Sequence, residues 1–236
     1  MAEGAWRGPA PLPNPLDVAR LGEIYSRTAA FYDEIVAERQ SGPKLEALQQ
    51  LRRQPGEPFL EVGVGTAWAF ARVIAESGPA NAYGLDVATG MLDVARQRLF
   101  DPLEAPTASS LAAVPFFLAD ARHIPVPDAS FDCLLNTYTF EVLATPDITP
   151  VLDECLRILK PGGRIAIVNL TDGEGPDAAM TEDWKQRYQN DPEFFGGARP
   201  LHLQSMLEAR GFSNVTRTYV GPHWPSEVLL AHRPES

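Results

Sequence analysis

The chain has 236 residues, of which 44% are hydrophobic, and its formal net charge at pH 7 is −11. This length fits one domain, and this apolar share is ample for a globular core. Because no Lys/Arg cluster occurs beyond Arg52-Arg53, the sequence argues against nucleic acids and anionic membranes as partners. No run approaches the ~18 apolar residues of a membrane span. We therefore expect a small-molecule partner and no membrane insertion.

The amino terminus and the cysteines predict a cytoplasmic protein. No basic segment leads into an apolar one at the start of the chain, so no secretory signal is visible. Cys133 and Cys155 lie in apolar surroundings and are expected to be buried, reduced thiols. The histidines are scattered without metal-ligand spacing, so we expect no bound metal.

The first 53 residues divide into an arm and a helical segment. Residues 1–16 are predicted to form a flexible arm, because prolines prevent a helix there; these are Pro9, Pro11, Pro13 and Pro15. Helical spacing of apolar residues begins at residue 17, where we expect the main domain, 17–236, to start. The segment Ser41-Gly42-Pro43 is predicted to end this helix, and a further helix is expected over 44–53.

The strongest functional signal is the segment Phe59-Leu60-Glu61-Val62-Gly63-Val64-Gly65-Thr66-Ala67. It predicts a buried strand that runs into a glycine turn and then into a helix. Gly63 and Gly65 let the backbone turn tightly and approach a ligand. The first N–H groups of the helix would face that ligand. Glu61 precedes the turn, where its carboxylate suits a ligand that carries an ammonium group.

A second acid follows about twenty residues later. Asp86 ends a strand predicted over 81–86, where its carboxylate can accept both hydroxyls of a ribose. The glycine turn alone fits NAD, FAD or S-adenosyl-L-methionine (SAM). The turn lacks the third glycine that brings a helix close to a pyrophosphate, and Glu61 disfavours a pyrophosphate. The downstream Lys160-Pro161-Gly162-Gly163, directly before another strand, also favours SAM.

The rest of the chain continues the alternation of helices and strands. Thr89 can cap a helix over 90–99. Asn136 and Thr137 follow a strand over 131–135, at the end where ligands of parallel sheets lie. The other predicted segments are a loop over 101–114, strands over 116–119, 164–170, 212–220 and 227–232, helices over 147–159 and 200–209, and an acidic, aromatic stretch over 171–200.

These motifs resemble those of class I SAM-dependent methyltransferases, especially the branch of the ubiquinone/menaquinone-biosynthesis and bacterial phospholipid N-methyltransferases. The resemblance covers about residues 20–232. It implies a Rossmann-like α/β fold with a mostly parallel seven-stranded sheet and a C-terminal antiparallel hairpin. It also implies that the helices over 17–53 cap the cofactor and that 171–200 is an acceptor lid. Ala67 departs from the family, which usually has glycine there.

The resemblance also implies roles for residues outside the glycine turn. An aromatic hydroxyl of Tyr25 or Tyr32 would touch the SAM carboxylate, Asp120 and Ala121 would contact the adenine edge, and Val87 and Met91 would line the adenine. The expected cofactor-binding residues are Tyr25, Tyr32, Glu61, Gly63, Gly65, Asp86, Val87, Met91, Asp120, Ala121, Asn136 and Thr137.

The expected function is SAM-dependent methyl transfer to a small organic acceptor at N, O or C, in secondary-metabolite or quinone-type biosynthesis. The enzyme must mainly hold the acceptor in line with the activated methyl group, and a base is needed only for a protonated acceptor. Candidate bases are Tyr25, Glu141, His202 and His223. The alternatives are a phospholipid-type amine N-methyltransferase, an NAD(P)-dependent oxidoreductase and a non-catalytic SAM-binding protein. A homodimer is compatible with the sequence.

Overall fold

The computed structural model describes residues 11–100, 114–222 and 224–235. The helices are α1 (Val18–Thr28), α2 (Tyr32–Leu51), α3 (Trp68–Ser77), α4 (Thr89–Phe100), α5 (Thr145–Ile158), α6 (Ala178–Asn190) and α7 (Gln204–Ala209). The strands are β1 (Phe59–Val62), β2 (Ala82–Asp86), β3 (Phe116–Leu118), β4 (Phe131–Thr137), β5 (Leu159–Leu170), β6 (Ser213–Val220) and β7 (Ser226–His232). Short 3-10 turns cover Ala29–Phe31, Phe140–Val142 and Gly175–Asp177. Nearly all of the loop predicted over 101–114 lies outside the described residues.

The described strands form one seven-stranded sheet in the order β3-β2-β1-β4-β5-β7-β6. Neighbouring strands from β3 to β5 run parallel, whereas β7 is antiparallel to both β5 and β6. This confirms the predicted Rossmann-like fold with its C-terminal hairpin. Strand β1 lies between β2 and β4, so the chain reverses its direction of winding there. Ligands of open parallel sheets bind beside such a reversal, at the carboxyl ends of the strands.

The alternation of side chains along the strands creates two apolar layers. In β1, Phe59 packs with residues of α2, α3 and α4, while Leu60 packs with residues of α5 and α7 on the opposite face. Successive residues of a strand point to opposite faces, so helices on both faces bury both sets. Cys133 and Cys155 are buried free thiols on these two layers, as predicted. In the described ranges we find no helix with the length and hydropathy of a membrane span.

The predicted break at Ser41-Gly42-Pro43 is wrong, because α2 continues through Pro43 to Leu51. A proline inside a helix removes one hydrogen bond to the carbonyl four residues earlier. The same helix buries Gln40, Lys44 and Leu51. Burial of this face outweighs the single lost bond, since tertiary packing supplies most of a helix's stability in proteins.

The arm is described from residue 11 onward, and its first ten residues lie outside the described range. Residues 11–16 have no regular secondary structure, as the prolines predict, but they are not loose. Asn14 and Leu16 are buried, and the Asn14 side chain donates to the Val142 carbonyl at 2.5 Å. The Tyr188 hydroxyl of α6 donates to the Pro13 carbonyl at 3.3 Å. This part of the arm is therefore anchored on the body of the protein.

The starts of strand β5 and helix α7 differ from the predicted ones. Strand β5 begins at Leu159, which pairs with Phe131, and the register then shifts so that Arg164 pairs with Cys133. The Pro161-Gly162-Gly163 turn therefore lies inside the strand as an irregularity. The helix predicted over 200–209 begins only at Gln204. The preceding residues are held in an extended path, since Leu201 N–H donates to the Leu170 carbonyl at 2.8 Å.

Candidate functional site

A cleft opens at the carboxyl ends of β1, β2 and β4, beneath α1 and α2. It holds about 900 Å³ of free space, its open mouth included. All predicted cofactor-binding residues except Asn136 line it. These lining residues are Tyr25, Tyr32, Glu61, Gly63, Gly65, Asp86, Val87, Met91, Asp120, Ala121 and Thr137. Residues from distant parts of the chain therefore meet where the order of the strands predicts a ligand.

The glycine turn combines one crowded and one open position. Gly63 has a φ of 72°, and a Cβ there would lie 2.1 Å from Thr139 Oγ1. Gly65 has a φ of 54°, but no protein atom lies within 4 Å of the position of its Cβ. Since Gly65 lines the cleft, its missing side chain leaves room for a ligand. Ala67 also has a positive φ, 59°, which explains why glycine is usual there in the resembled family.

Asp86 is held in place by two backbone amides. Its Oδ2 accepts from Gly65 N–H at 2.9 Å, and its Oδ1 accepts from Ala88 N–H at 2.9 Å. Burial raises the pKa of this carboxyl above its usual value, and the amide hydrogen bonds oppose that shift. Each carboxylate oxygen can accept a further hydrogen bond. The group is therefore fixed at the mouth of the glycine turn with capacity for two hydroxyls.

A buried charge pair lies at the other end of the cleft. Glu61 is 1% exposed, and its Oε1 accepts from the Thr137 hydroxyl at 3.3 Å while Oε2 has no partner among the described residues. Lys44 of α2 is 7% exposed, and its Nζ lies 5.6 Å from the ring centroids of both Trp68 and Tyr138. Burial raises the pKa of Glu61 and lowers that of Lys44. One carboxylate oxygen thus remains available to an ammonium group.

Lys44 is a site residue that the sequence analysis missed. It lies one residue after the predicted break at Pro43. The sequence analysis predicted a helix over 44–53 but no site residue within it. The nearest sequence signal is its place on the buried face of α2, four residues before the apolar Leu48 and after the buried Gln40. A lysine on an apolar face is unusual because its charge must be paired or hydrated.

Asp120 lies at the opposite end, where its carboxylate is already engaged. Arg122 Nη2 donates to Asp120 Oδ2 at 2.7 Å, and Arg122 N–H donates to Oδ1 at 2.9 Å. Burial raises the pKa of Asp120, but the hydrogen bonds from Arg122 outweigh that effect and lower it overall. Arg122 also pairs with Asp147 at 3.0 Å. An adenine amino group at this position would therefore share Asp120 with Arg122.

Three predicted residues lie apart from the cleft or cannot be placed. Asn136 is inside β4 rather than after it, and its Nδ2 donates to the Val62 carbonyl at 2.8 Å, so its side chain joins two strands behind the cleft. His202 is not a lining residue either, and its ring Nε2 lies 2.9 Å from Asp172 Oδ2. His223 lies outside the described residues. Asp172 and Thr171 therefore account for the polar contacts of His202.

Of the two other candidate bases, Tyr25 lines the cleft whereas Glu141 does not. The Tyr25 hydroxyl donates to the Gly196 carbonyl at 3.2 Å, which links α1 to the segment after α6. Burial raises the pKa of Tyr25 well above its usual value. Glu141 follows β4, is 2% exposed, and has no hydrogen-bond partner for Oε2 in the part of the chain that the structure describes. Burial raises the pKa of Glu141 to about 8.

The raised pKa of Glu141 makes stability depend on pH. An unfolded glutamate titrates near pH 4.3, whereas the folded carboxyl titrates at about 8. Between these values the folded state holds a proton that the unfolded chain has lost, so stability falls as pH rises from about 4 to about 8. Below that range both states are protonated and the effect is absent. Glutamine does not ionise, so Glu141→Gln lacks this loss. We therefore expect the difference in melting temperature, Glu141→Gln minus wild type, to increase from pH 5 to pH 8.

Thermal melts of the two proteins across this range measure the effect. Glu76→Gln is the matched control, because Glu76 is an exposed glutamate on α3. A constant gap between wild type and Glu141→Gln would mean that the Glu141 carboxyl ionises as freely in the folded protein as in the unfolded chain.

Comparisons with known proteins agree with this geometry. Residues 60–167 match the family described as a methyltransferase domain. Over 231 residues the chain is 31% identical to a malonyl-acyl-carrier-protein O-methyltransferase of Yersinia pestis, covering 92% of this chain and 74% of that protein. It is 26% identical over 231 residues to a demethylmenaquinone methyltransferase of Lactobacillus johnsonii, covering 88% of this chain and 90% of that protein. The matched region spans only 58% of a Serratia marcescens relative, also a malonyl-acyl-carrier-protein O-methyltransferase.

Solved structures share the fold at low identity. The cyclase SpnF superposes with a TM-score of 0.74 at 17% identity, covering 97% of this chain and 100% of that chain. A Haemonchus contortus phosphoethanolamine N-methyltransferase in complex with SAM gives a TM-score of 0.63 at 16% identity, covering 81% of this chain and 52% of that chain. The chain belongs to the class I SAM-dependent methyltransferases, as the sequence motifs predicted. SAM is the cofactor of this family, and the acceptor of this member is not defined by these similarities.

Proposed function

We propose that the cleft binds SAM in one defined orientation. Asp86 would accept the ribose hydroxyls, and the free Oε2 of Glu61 would accept from the ammonium of the methionine part. Lys44 would then face the carboxylate of the same part. The adenine would lie against Val87 and Met91. The observation that carries this proposal is the pair of amides that hold Asp86 beside the open position at Gly65.

The reaction we propose is methyl transfer from SAM to a small organic acceptor at an N, O or C atom. The activated methyl comes with the cofactor, so the protein needs to align the acceptor and exclude water. Glu141 is the base that we propose to test, because one oxygen of its buried carboxyl has no partner among the described residues, although its side chain does not line the cleft. The relatives include O-methyltransferases and demethylmenaquinone methyltransferases, which supports a quinone-type or carboxylate acceptor.

Other aspects of the function stay predictions from the sequence. A cytoplasmic location, the absence of a nucleic-acid partner and a homodimer belong to this group. The net charge of −11 supports a small acceptor over a polyanion. The assignment of 171–200 as an acceptor lid is supported by α6 and by the contact of Gly196 with Tyr25, a residue of the cleft.

Calorimetric titration with SAM and with S-adenosylhomocysteine tests the proposed site. We expect Asp86→Asn to weaken both ligands by about tenfold or more, because charge-assisted hydrogen bonds contribute about 1.5–3 kcal/mol. The amide keeps the shape of the carboxylate but replaces one accepting oxygen by a donor, so one of the hydrogen bonds from Gly65 N–H and Ala88 N–H is lost. A thermal melt of the variant therefore accompanies the titration, to separate lost affinity from a loosened turn. Asp93→Asn, an exposed acid on α4, is the matched control and should bind like the wild type. Absence of SAM binding by the wild type would refute the proposal, and NAD(H) would then be titrated.

A further inference from the structure

A second cavity lies between the carboxyl end of β5 and the lid helix α6, and we call it the tryptophan chamber. It holds about 680 Å³ of free space, its open side included, and shares no lining residue with the SAM cleft. The residues that define it are Arg39, Leu170, Thr171, Met180, Trp184 and Trp224. Leu170 ends β5, so the chamber opens on the same edge of the sheet as the cleft. No role has yet been given to it.

Trp184 and Trp224 pack edge to face, and only one of their two indole N–H groups has a hydrogen-bond acceptor among the described residues. Their ring centroids lie 5.2 Å apart at an interplanar angle of 86°. Trp184 Nε1 donates to the Ala198 carbonyl at 3.0 Å. The indole N–H of Trp224 is buried and has no hydrogen-bond partner among the described residues. A buried donor without an acceptor is costly, and this one belongs to a residue that lines the chamber.

Arg39 adds a second donor to the same space. Its guanidinium carbon lies 5.6 Å from the ring centroid of Trp224, and no carboxylate of a described residue forms an ion pair with it. The nearby Asp172 is engaged by Lys185 at 2.5 Å and by His202 at 2.9 Å. Arginine and the indole N–H can only donate hydrogen bonds. The chamber therefore presents a positive charge and a donor beside a broad aromatic surface.

The chamber and the cleft are separated by one hydrogen-bonded wall. The Tyr138 ring lines the cleft, and its hydroxyl donates to Ser226 Oγ at 2.7 Å. Ser226 Oγ in turn donates to the Trp224 carbonyl at 2.9 Å. Arg39 and Lys44 also connect the two spaces, because both belong to α2. These hydrogen bonds therefore link a residue that lines the cleft, Tyr138, to one that lines the chamber, Trp224.

We propose that the tryptophan chamber binds the non-reacting end of the methyl acceptor, and that this end is a flat apolar group with an anionic substituent such as a carboxylate. This inference rests on the proposed methyl-transfer function. Aromatic rings favour flat apolar groups, and the guanidinium pairs with planar anions through parallel N–H groups. The net charge of −11 disfavours anions elsewhere on the protein, so Arg39, which forms no ion pair with a described carboxylate, gives this position its selectivity.

The test uses 2-naphthoate and its neutral analogue 2-naphthamide as probes, titrated calorimetrically with and without saturating S-adenosylhomocysteine. We expect naphthoate to bind more tightly than naphthamide, with an affinity that S-adenosylhomocysteine leaves unchanged. Arg39→Gln should weaken naphthoate by about fivefold, a value reduced by the solvent exposure of the arginine. Trp224→Phe keeps a ring but removes the donor, and it should also weaken naphthoate.

Arg187→Gln is the matched control, because Arg187 is an exposed arginine on α6 that does not line the chamber. It should bind both probes like the wild type, and all variants should retain their affinity for SAM. Naphthoate that binds Arg39→Gln as well as wild type, or that S-adenosylhomocysteine displaces, would overturn the inference. If SAM binds but naphthoate does not, this inference fails and the proposed function stands. If SAM itself does not bind, the proposed function fails.

Discussion

Gly65→Ala is expected to weaken SAM binding by about tenfold to a hundredfold while the protein stays folded. The added methyl would project into the cleft, where no protein atom lies within 4 Å. It would therefore meet the ligand, and overpacking of a tight contact costs about 1–3 kcal/mol. The φ of 54° adds a strain of about 1 kcal/mol for alanine, which a stable domain tolerates. Calorimetry with SAM and a thermal melt separate the two effects.

Two other glycines serve as controls for this result. Gly56 has a φ of 81° and open space around it but does not line the cleft, so Gly56→Ala should carry the strain without loss of SAM affinity. Gly63→Ala should instead lower the melting temperature, because its methyl would lie 2.1 Å from Thr139 Oγ1. If Gly65→Ala binds SAM like Gly56→Ala, the cofactor does not approach the backbone at this turn.

Arg199→Met is expected to lower the free energy of unfolding by about 3 kcal/mol or more. Arg199 is 0% exposed, and its guanidinium donates to the carbonyls of Leu12 and Glu141, each at 2.6 Å, and to the Thr145 hydroxyl at 3.2 Å. Methionine fills a similar volume but its side chain donates nothing, so three hydrogen bonds from a fully buried group are lost. The Arg199 backbone N–H, which donates to the Glu141 carbonyl at 3.3 Å, remains. The arm and the segment after β4 should loosen together.

Urea unfolding monitored by circular dichroism measures this change in free energy. The matched control is Arg210→Met, which removes a partly exposed arginine paired with Asp153 at 2.6 Å. A pair of this kind contributes about 0–1 kcal/mol, so the control should unfold almost like the wild type. Equal effects of the two substitutions would show that the hydrogen bonds of Arg199 are replaced by water.

The parts of the fold that the sequence predicted well depend on local patterns. The glycine turn, the strand before it and Asp86 lie within one continuous βαβ segment, so spacing alone brings them together. The C-terminal hairpin was expected from the family resemblance, with strands predicted over 212–220 and 227–232. The same reasoning placed Thr137 in the cleft but failed for Asn136, because β4 extends two residues further than predicted and adjacent side chains point to opposite faces.

The residues that were missed depend on contacts between distant segments. Lys44 reaches the cleft only because α2 passes through Pro43 without a break, which local propensity does not indicate. The anchoring of Asn14 and Leu12 depends on Val142 and Arg199, whose positions follow from the complete tertiary structure. Local sequence patterns therefore predicted the cofactor side of the cleft better than the side formed by the cap and the lid.

The antiparallel insertion of β7 has a consequence for the chain during its synthesis. Strand β5 pairs with β4 on one side and with β7 on the other, and its residues from Ile165 to Leu170 are buried. Until residues 226–232 leave the ribosome, β5 is an unpaired, strongly apolar edge of the kind that joins to other chains. Premature termination before Ser226 would therefore yield an aggregating polypeptide although every residue of the cleft had already been made.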